Sequence, residues 1–135
     1  MESKIVKFID KHHVMTLATQ SDQGVYCANA FYAFDSESGS LIFSSGVDTR
    51  HGSEMTANRQ VAASIVLETK IVGKIQGAQI IGNIEESSSA DKTLYISKFP
   101  YAAVVDLQLW RLRIDHLKLT DNTLGFGKKL IWNRA

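Results

Sequence analysis

The chain has 135 residues, 44% of them hydrophobic and 21% charged, which suits one domain with its own core and excludes a disordered chain. Its formal net charge of +1 gives no overall pull toward nucleic acid or an anionic membrane. The single cysteine, Cys27, leaves no internal disulfide and fits a reducing compartment.

Ile5, Phe8, Ile9 and His12 fall at i, i+3, i+4 and i+7, so Glu2 to Lys11 is expected as an amphipathic helix. Met1 is followed by Glu2, Lys4 and Lys7 rather than a long apolar run, so no signal peptide is expected. No apolar run reaches the length needed to cross a bilayer, and the expectation is a cytoplasmic protein. Val14 to Thr19 and Val25 to Phe34 read as strands joined across the turn residues Ser21 to Gly24. Asp35 to Ser40 is a second turn, and Leu41 to Ser45 a third strand. Polar small residues and a short helix lead to a fourth strand, Val61 to Glu68. Thr69 to Gly73 is ambiguous. Lys74 to Glu86 reads as a longer strand with kinks at Gly77 and Gly82. Ser87 to Ser89 can cap a helix running to about Phe99, which Pro100 closes. Leu107 to Ile114 alternates cleanly and Leu117 to Thr120 continues extended. Asp121 to Gly127 turns, and Lys128 to Trp132 is the last strand. The expected class is mainly β: one domain over 1–135, six to seven mostly antiparallel strands closed as a small barrel, with short helices between them.

The stretch Leu41 to Val66 draws most attention. Turn residues follow an apolar strand, and Thr49-Arg50-His51 then stand at a helix start. A helix N-terminus offers unpaired N–H groups and the positive end of a dipole. Hydroxyls at Ser44, Ser45 and Thr49, with the Arg50 fork, can complete a phosphate site there. The plainer alternative is that Asp48 caps the helix and Arg50 is a solvated charge that adds little to the fold. His12, His13, His51 and His116 lack the spacing of a zinc site, so no metal is expected. Cys27 reads as a buried small hydrophobe on a core strand. Gly125-Phe126-Gly127-Lys128 lacks the parallel βαβ setting of a dinucleotide loop and reads as a hairpin turn. Trp110, Phe126 and Trp132 can stack on a flat ring or serve core and interface. Phe31, Tyr32, Phe34, Trp110 and Trp132 are many large aromatics for so small a core, which leads to the expectation of a homodimer. No side-chain acid or base stands out as catalytic.

The strand order and the turn Phe43 to His51 (FSSGVDTRH) resemble the FMN-binding split β-barrel superfamily of pyridoxamine-5′-phosphate oxidase. The segments CANAFYAFD, TRH and TDNTLGFGKKLIW are similar to its small YhbP-like family of bacterial proteins. The resemblance implies an FMN phosphate against Ser44, Ser45, Thr49 and Arg50. The oxidase pattern has two consecutive basic residues where this chain has Thr49-Arg50, with His51 next to them. It implies an isoalloxazine ring along the second strand at Ala28, Asn29, Ala30 and Phe31, with Gln79 also facing the flavin. It implies a cofactor held across a homodimer interface, within reach of Lys128 and Trp132 from either subunit. The oxidase's C-terminal Arg–x–His substrate signature is absent, so pyridoxamine phosphate is not the expected substrate. The implied function is an FMN-dependent oxidoreductase of unknown small-molecule substrate, without nucleic-acid or membrane partners. The alternative is a flavin or haem carrier, or a barrel that has lost its cofactor.

Overall fold

The computed structural model describes residues 1–135. Helix α1 (Ser3–Lys11) buries Ile5, Phe8 and Ile9, the stripe that its periodicity marks. It is followed by β1 (Val14–Ser21), β2 (Gly24–Asp35) and β3 (Ser40–Ser44). Helix α2 (Arg50–Ala57) leads to β4 (Gln60–Leu67), and the ambiguous segment after it holds a 3-10 turn at Val72–Lys74. Then come β5 (Gln76–Glu86), α3 (Ser89–Lys98), β6 (Leu109–Asp121) and β7 (Lys129–Asn133). Ser88 and Asp91 form a reciprocal capping box that starts α3, and Pro100 opens a 3-10 turn beyond it.

All strand pairs are antiparallel, in the order β3-β2-β1-β4-β5-β6-β7, and β6 also pairs with β3. The first half of β6 therefore closes a barrel against β3, while its second half carries β7 on the same edge. The Arg134 guanidinium fills the seam between those partners. It donates to the carbonyls of Ser38 (2.7 Å), Gly39 (3.0 Å) and Ile114 (2.8 Å), and the Gly39 carbonyl also accepts the Ile114 N–H (3.0 Å).

Met15, Leu17, Leu41, Phe43, Ile65, Ile80, Leu112 and Leu117 fill the barrel, with Met55 of α2 and the α1 stripe closing on the same core. A smaller cluster lies outside the wall, where Tyr95 and Ala102 pack on Ala33 and Ile42. This second layer explains β2. Its end, Tyr32 to Phe34, is buried on both faces, whereas Val25, Cys27, Asn29 and Phe31 form an exposed outward row. Cys27 is thus exposed, contrary to the expectation of a buried position. Of the expected kinks, Gly82 marks a register shift; a Cβ there would stand 2.3 Å from the Arg113 carbonyl oxygen. Gly77 stays in register opposite Thr120 and makes no kink.

Candidate functional site

The connection from β3 to α2 leaves the barrel wall at Ser44. Strand pairing stops there because Ser45 turns to the chain before β6: its N–H donates to the Gln108 carbonyl (3.0 Å), and its carbonyl accepts the Trp110 indole N–H (2.7 Å). The Gln108 side chain accepts the Val47 N–H at 2.8 Å. Thr49, not Asp48, caps α2: its hydroxyl accepts from the Gly52 N–H (3.1 Å) and donates to the Gly46 carbonyl (2.6 Å). A Cβ at Gly52 would lie 2.1 Å from the Gly46 carbonyl oxygen, so only glycine lets the first turn of α2 pack so closely on the loop. The N–H groups of Arg50 and His51, at the positive end of α2, have no acceptor within the chain.

The Ser45 hydroxyl is buried and contacts Nε2 of His51. Burial holds His51 below the ordinary histidine value, against the opposing pull of Glu54, so the imidazole is a neutral partner for that hydroxyl near pH 7. Arg50 is not a free solvated charge. Its Nε donates to Glu54 Oε2 at 3.1 Å, and its guanidinium lies over the Tyr26 ring, 4.2 Å from the centroid. Donation from the Thr19 hydroxyl, then from Arg50 and Ser21, keeps the Glu54 carboxyl below the usual glutamate range despite burial.

The structure brings some of the sequence-derived residues together and separates others. Ser44, Ser45, Thr49, Arg50 and His51 form one turn. Ser44 and Phe31 line one apolar cavity of 170 Å³ with Tyr95, Phe99, Tyr101, Ala102, Val105 and Leu107. Asn29 lies in the same exposed row as Phe31 and takes the Thr16 hydroxyl at 3.0 Å, while Ala28 and Ala30, which alternate with them, are half-buried. On the other side of the turn, Val47, Gln108 and Trp110 form part of a 420 Å³ cleft with Arg59, Glu85 and Glu86. Gln79 lies elsewhere, lining a cleft on β4 and β5 with Ser64, Val66 and Ile75. Lys128 is exposed in the β6–β7 connection. Trp132 packs against the core beneath Arg134 and beside Gly39, at the opposite end of β3 from the turn. Within one chain, Gln79, Lys128 and Trp132 therefore stand apart from the turn.

Sequence reasoning missed Tyr26, Glu54 and Gln108, and it singled out Trp110 only as an aromatic for a flat ring, the core or an interface, not as a hydrogen-bond partner of the turn. The i, i+4 spacing of Arg50 and Glu54 was a usable signal for one of them. Gln108 and Trp110 reach the turn from across the barrel, and no local pattern announces that.

A model of the family described as pyridoxamine 5′-phosphate oxidase matches residues 1–120. A UPF0306 protein of Cronobacter sakazakii is 40% identical over 135 residues, covering 97% of this chain and 94% of that one. The UPF0306 protein YhbP of Salmonella paratyphi B is 38% identical over 134 residues, covering 96% of this chain and 91% of that one. Among solved structures, a heme binding protein from Mycobacterium smegmatis superposes with a TM-score of 0.78 at 16% identity, over 93% of this chain and 55% of that one. A FAD-binding protein from Mesorhizobium loti superposes with a TM-score of 0.70 at 17% identity, over 86% of this chain and 89% of that one. Such low identities carry the barrel fold alone, but the two UPF0306 proteins align along nearly the whole length. The chain belongs to the pyridoxamine 5′-phosphate oxidase family, among its UPF0306 (YhbP) members.

Proposed function

We propose that the chain binds FMN and serves as a flavin-dependent oxidoreductase acting on a small molecule. The observation that carries this reading is the turn at the end of β3. It combines two N–H donors without acceptors at Arg50 and His51 with the buried Ser45 hydroxyl, and on its flank Arg50 carries an Nη edge without a hydrogen-bond partner, in a cleft with Ser21, Asp22, Gln23 and Ser53. That donor set suits a phosphate group. The exposed row of β2, from Cys27 through Asn29 to Phe31, ends at the apolar cavity that Ser44 also lines and offers a bed for a flat ring. A bound flavin would supply the electron transfer. This chain's own residues would hold its phosphate, support the ring and keep an apolar wall beside it at Phe31, Phe99 and Tyr101.

The same reading includes a homodimer in the cytoplasm. Tyr32 and Phe34 are satisfied within the chain's own core, so the motive for a dimer rests on other side chains. Phe31 (55% exposed), Val66 (54%), Ile81 (47%) and Ile131 (60%) are large apolar groups on outward faces. A second copy covering these faces would also give Gln79, Lys128 and Trp132 a route to a cofactor that one chain does not provide. Light scattering should give twice the mass of the chain; a monomer mass at micromolar concentration contradicts this part of the proposal.

The rival reading is a haem carrier, favoured by the fold shared with the heme binding protein from Mycobacterium smegmatis. An absorption spectrum of the purified protein separates the two. Flavin bands are expected, whereas a Soret band supports the rival, and a colourless protein that takes up no added FMN contradicts the flavin reading.

A further inference from the structure

Glu54 follows Arg50 by one helical turn, and its side chain is 8% exposed against 42% for the arginine. A carboxylate so buried needs partners, and it has three. Its Oε1 accepts from the Thr19 hydroxyl (2.7 Å), and its Oε2 accepts from the Ser21 hydroxyl (3.0 Å) and from Arg50 Nε (3.1 Å). Thr19 and Ser21 belong to the barrel wall at the end of β1, so the carboxylate is tied to the sheet and not only to its own helix. The Tyr26 ring supports the guanidinium plane from β2.

A guanidinium carries five N–H groups in a rigid fork. Fixing Nε on a carboxylate that is itself fixed to the sheet determines where the remaining Nη edge points. We infer that Glu54 is a positioning residue for anion binding at this turn: with Tyr26 beneath, it holds Arg50 so that the free Nη edge is presented to the phosphate. This rests on the FMN reading. An exposed arginine without such a hold would have to give up its rotamer freedom on each binding event.

Charge and geometry make opposite forecasts here, which permits a decisive test. The negative charge of Glu54 opposes a phosphate, while its hydrogen bonds organise the arginine. Glu54→Gln removes the charge and keeps one acceptor oxygen, which can stay on Arg50 Nε while its NH2 donates to the Thr19 hydroxyl oxygen; Glu54→Ala removes both charge and acceptor. The measurement is the ratio of the riboflavin to the FMN dissociation constant, titrated by flavin fluorescence. Riboflavin lacks the phosphate, so general damage to the fold or the ring pocket affects both ligands alike and leaves the ratio unmoved. Glu54→Ala should lower the ratio about tenfold, the loss of much of one bidentate contact, with riboflavin affinity held within about twofold. Glu54→Gln should match or exceed the wild-type ratio. A wild-type ratio in Glu54→Ala overturns the inference, and so does an equal fall in both variants. Should Glu54→Ala not fold, the Thr19→Val, Ser21→Ala double variant frees the carboxylate without removing it. It should lower the ratio in the same direction, and an unchanged ratio there overturns the inference. Arg50→Ala separates this failure from that of the parent reading. A wild-type ratio in Arg50→Ala defeats the phosphate site itself, whereas a low ratio there beside a normal one in Glu54→Ala defeats only the role of Glu54.

Discussion

Replacing Arg111 by leucine should lower the free energy of unfolding by about 3 kcal/mol, read as a shift of the urea midpoint at unchanged slope. Arg111 lies on β6, and its side chain is 17% exposed. It donates to Asp91 at 2.6 Å and to Asp35 at 3.2 Å, and it also contacts the Ser38 hydroxyl. Asp91 is the more buried partner, with a side chain 5% exposed, and it also closes the capping box of α3. Leucine would fill much of the space but leave a buried carboxylate without its cation, the costly half of breaking such a pair. The loss reaches the candidate site because α3 carries Tyr95, which lines the cavity beside Phe31 and Ser44. Ring binding in that cavity should weaken together with stability. A midpoint shift corresponding to less than about 1 kcal/mol would mean that Asp91 finds another partner or water, and that α3 is held by its apolar contacts alone.

Arg50→Ala should weaken FMN binding by about one to two decades, the value of a lost charge-assisted bond of about 1.5–3 kcal/mol. Riboflavin should bind the variant and wild type about equally. Arg50→Lys should recover only part of the loss, since a point charge does not reproduce the fork. The sequence alone leads to the expectation that ligand-free stability hardly changes, because a solvated arginine contributes little. The structure revises that. Arg50 pairs with a buried carboxylate and stacks on Tyr26, so Arg50→Ala should also cost about 1 kcal/mol without ligand. Equal losses of riboflavin and FMN would place the damage in the fold or the ring pocket and count against a phosphate contact.

Most of the architecture was legible because hydrophobic period and turn chemistry agreed along the chain. The alternation in β6, the stripe of α1 and the Ser-rich cap of α3 each specify an element without tertiary help. Cys27 was misread for a definite reason. The composition of β2 is mostly apolar, but only its end is covered on both faces, and the covering cluster comes from Tyr95 and Ala102, more than sixty residues later. The cap of α2 was misassigned for a subtler one. Asp48 and Thr49 both have capping chemistry, and the close approach of Gly52 to Gly46 selects Thr49. In the candidate site, the polar turn itself was visible as residues 44–51. Its supports were not, since Gln108 and Trp110 meet it only once β6 closes the barrel on β3.

The central claim is that the turn after β3 holds a phosphate group. Parallel titration of the wild-type apoprotein with FMN and riboflavin tests it most directly, with inorganic phosphate as competitor. The account predicts that FMN binds more tightly by at least about one decade, the share of one charge-assisted contact, and that phosphate competes with FMN while leaving riboflavin binding unaffected. Equal affinities for FMN and riboflavin, insensitive to phosphate, would contradict it.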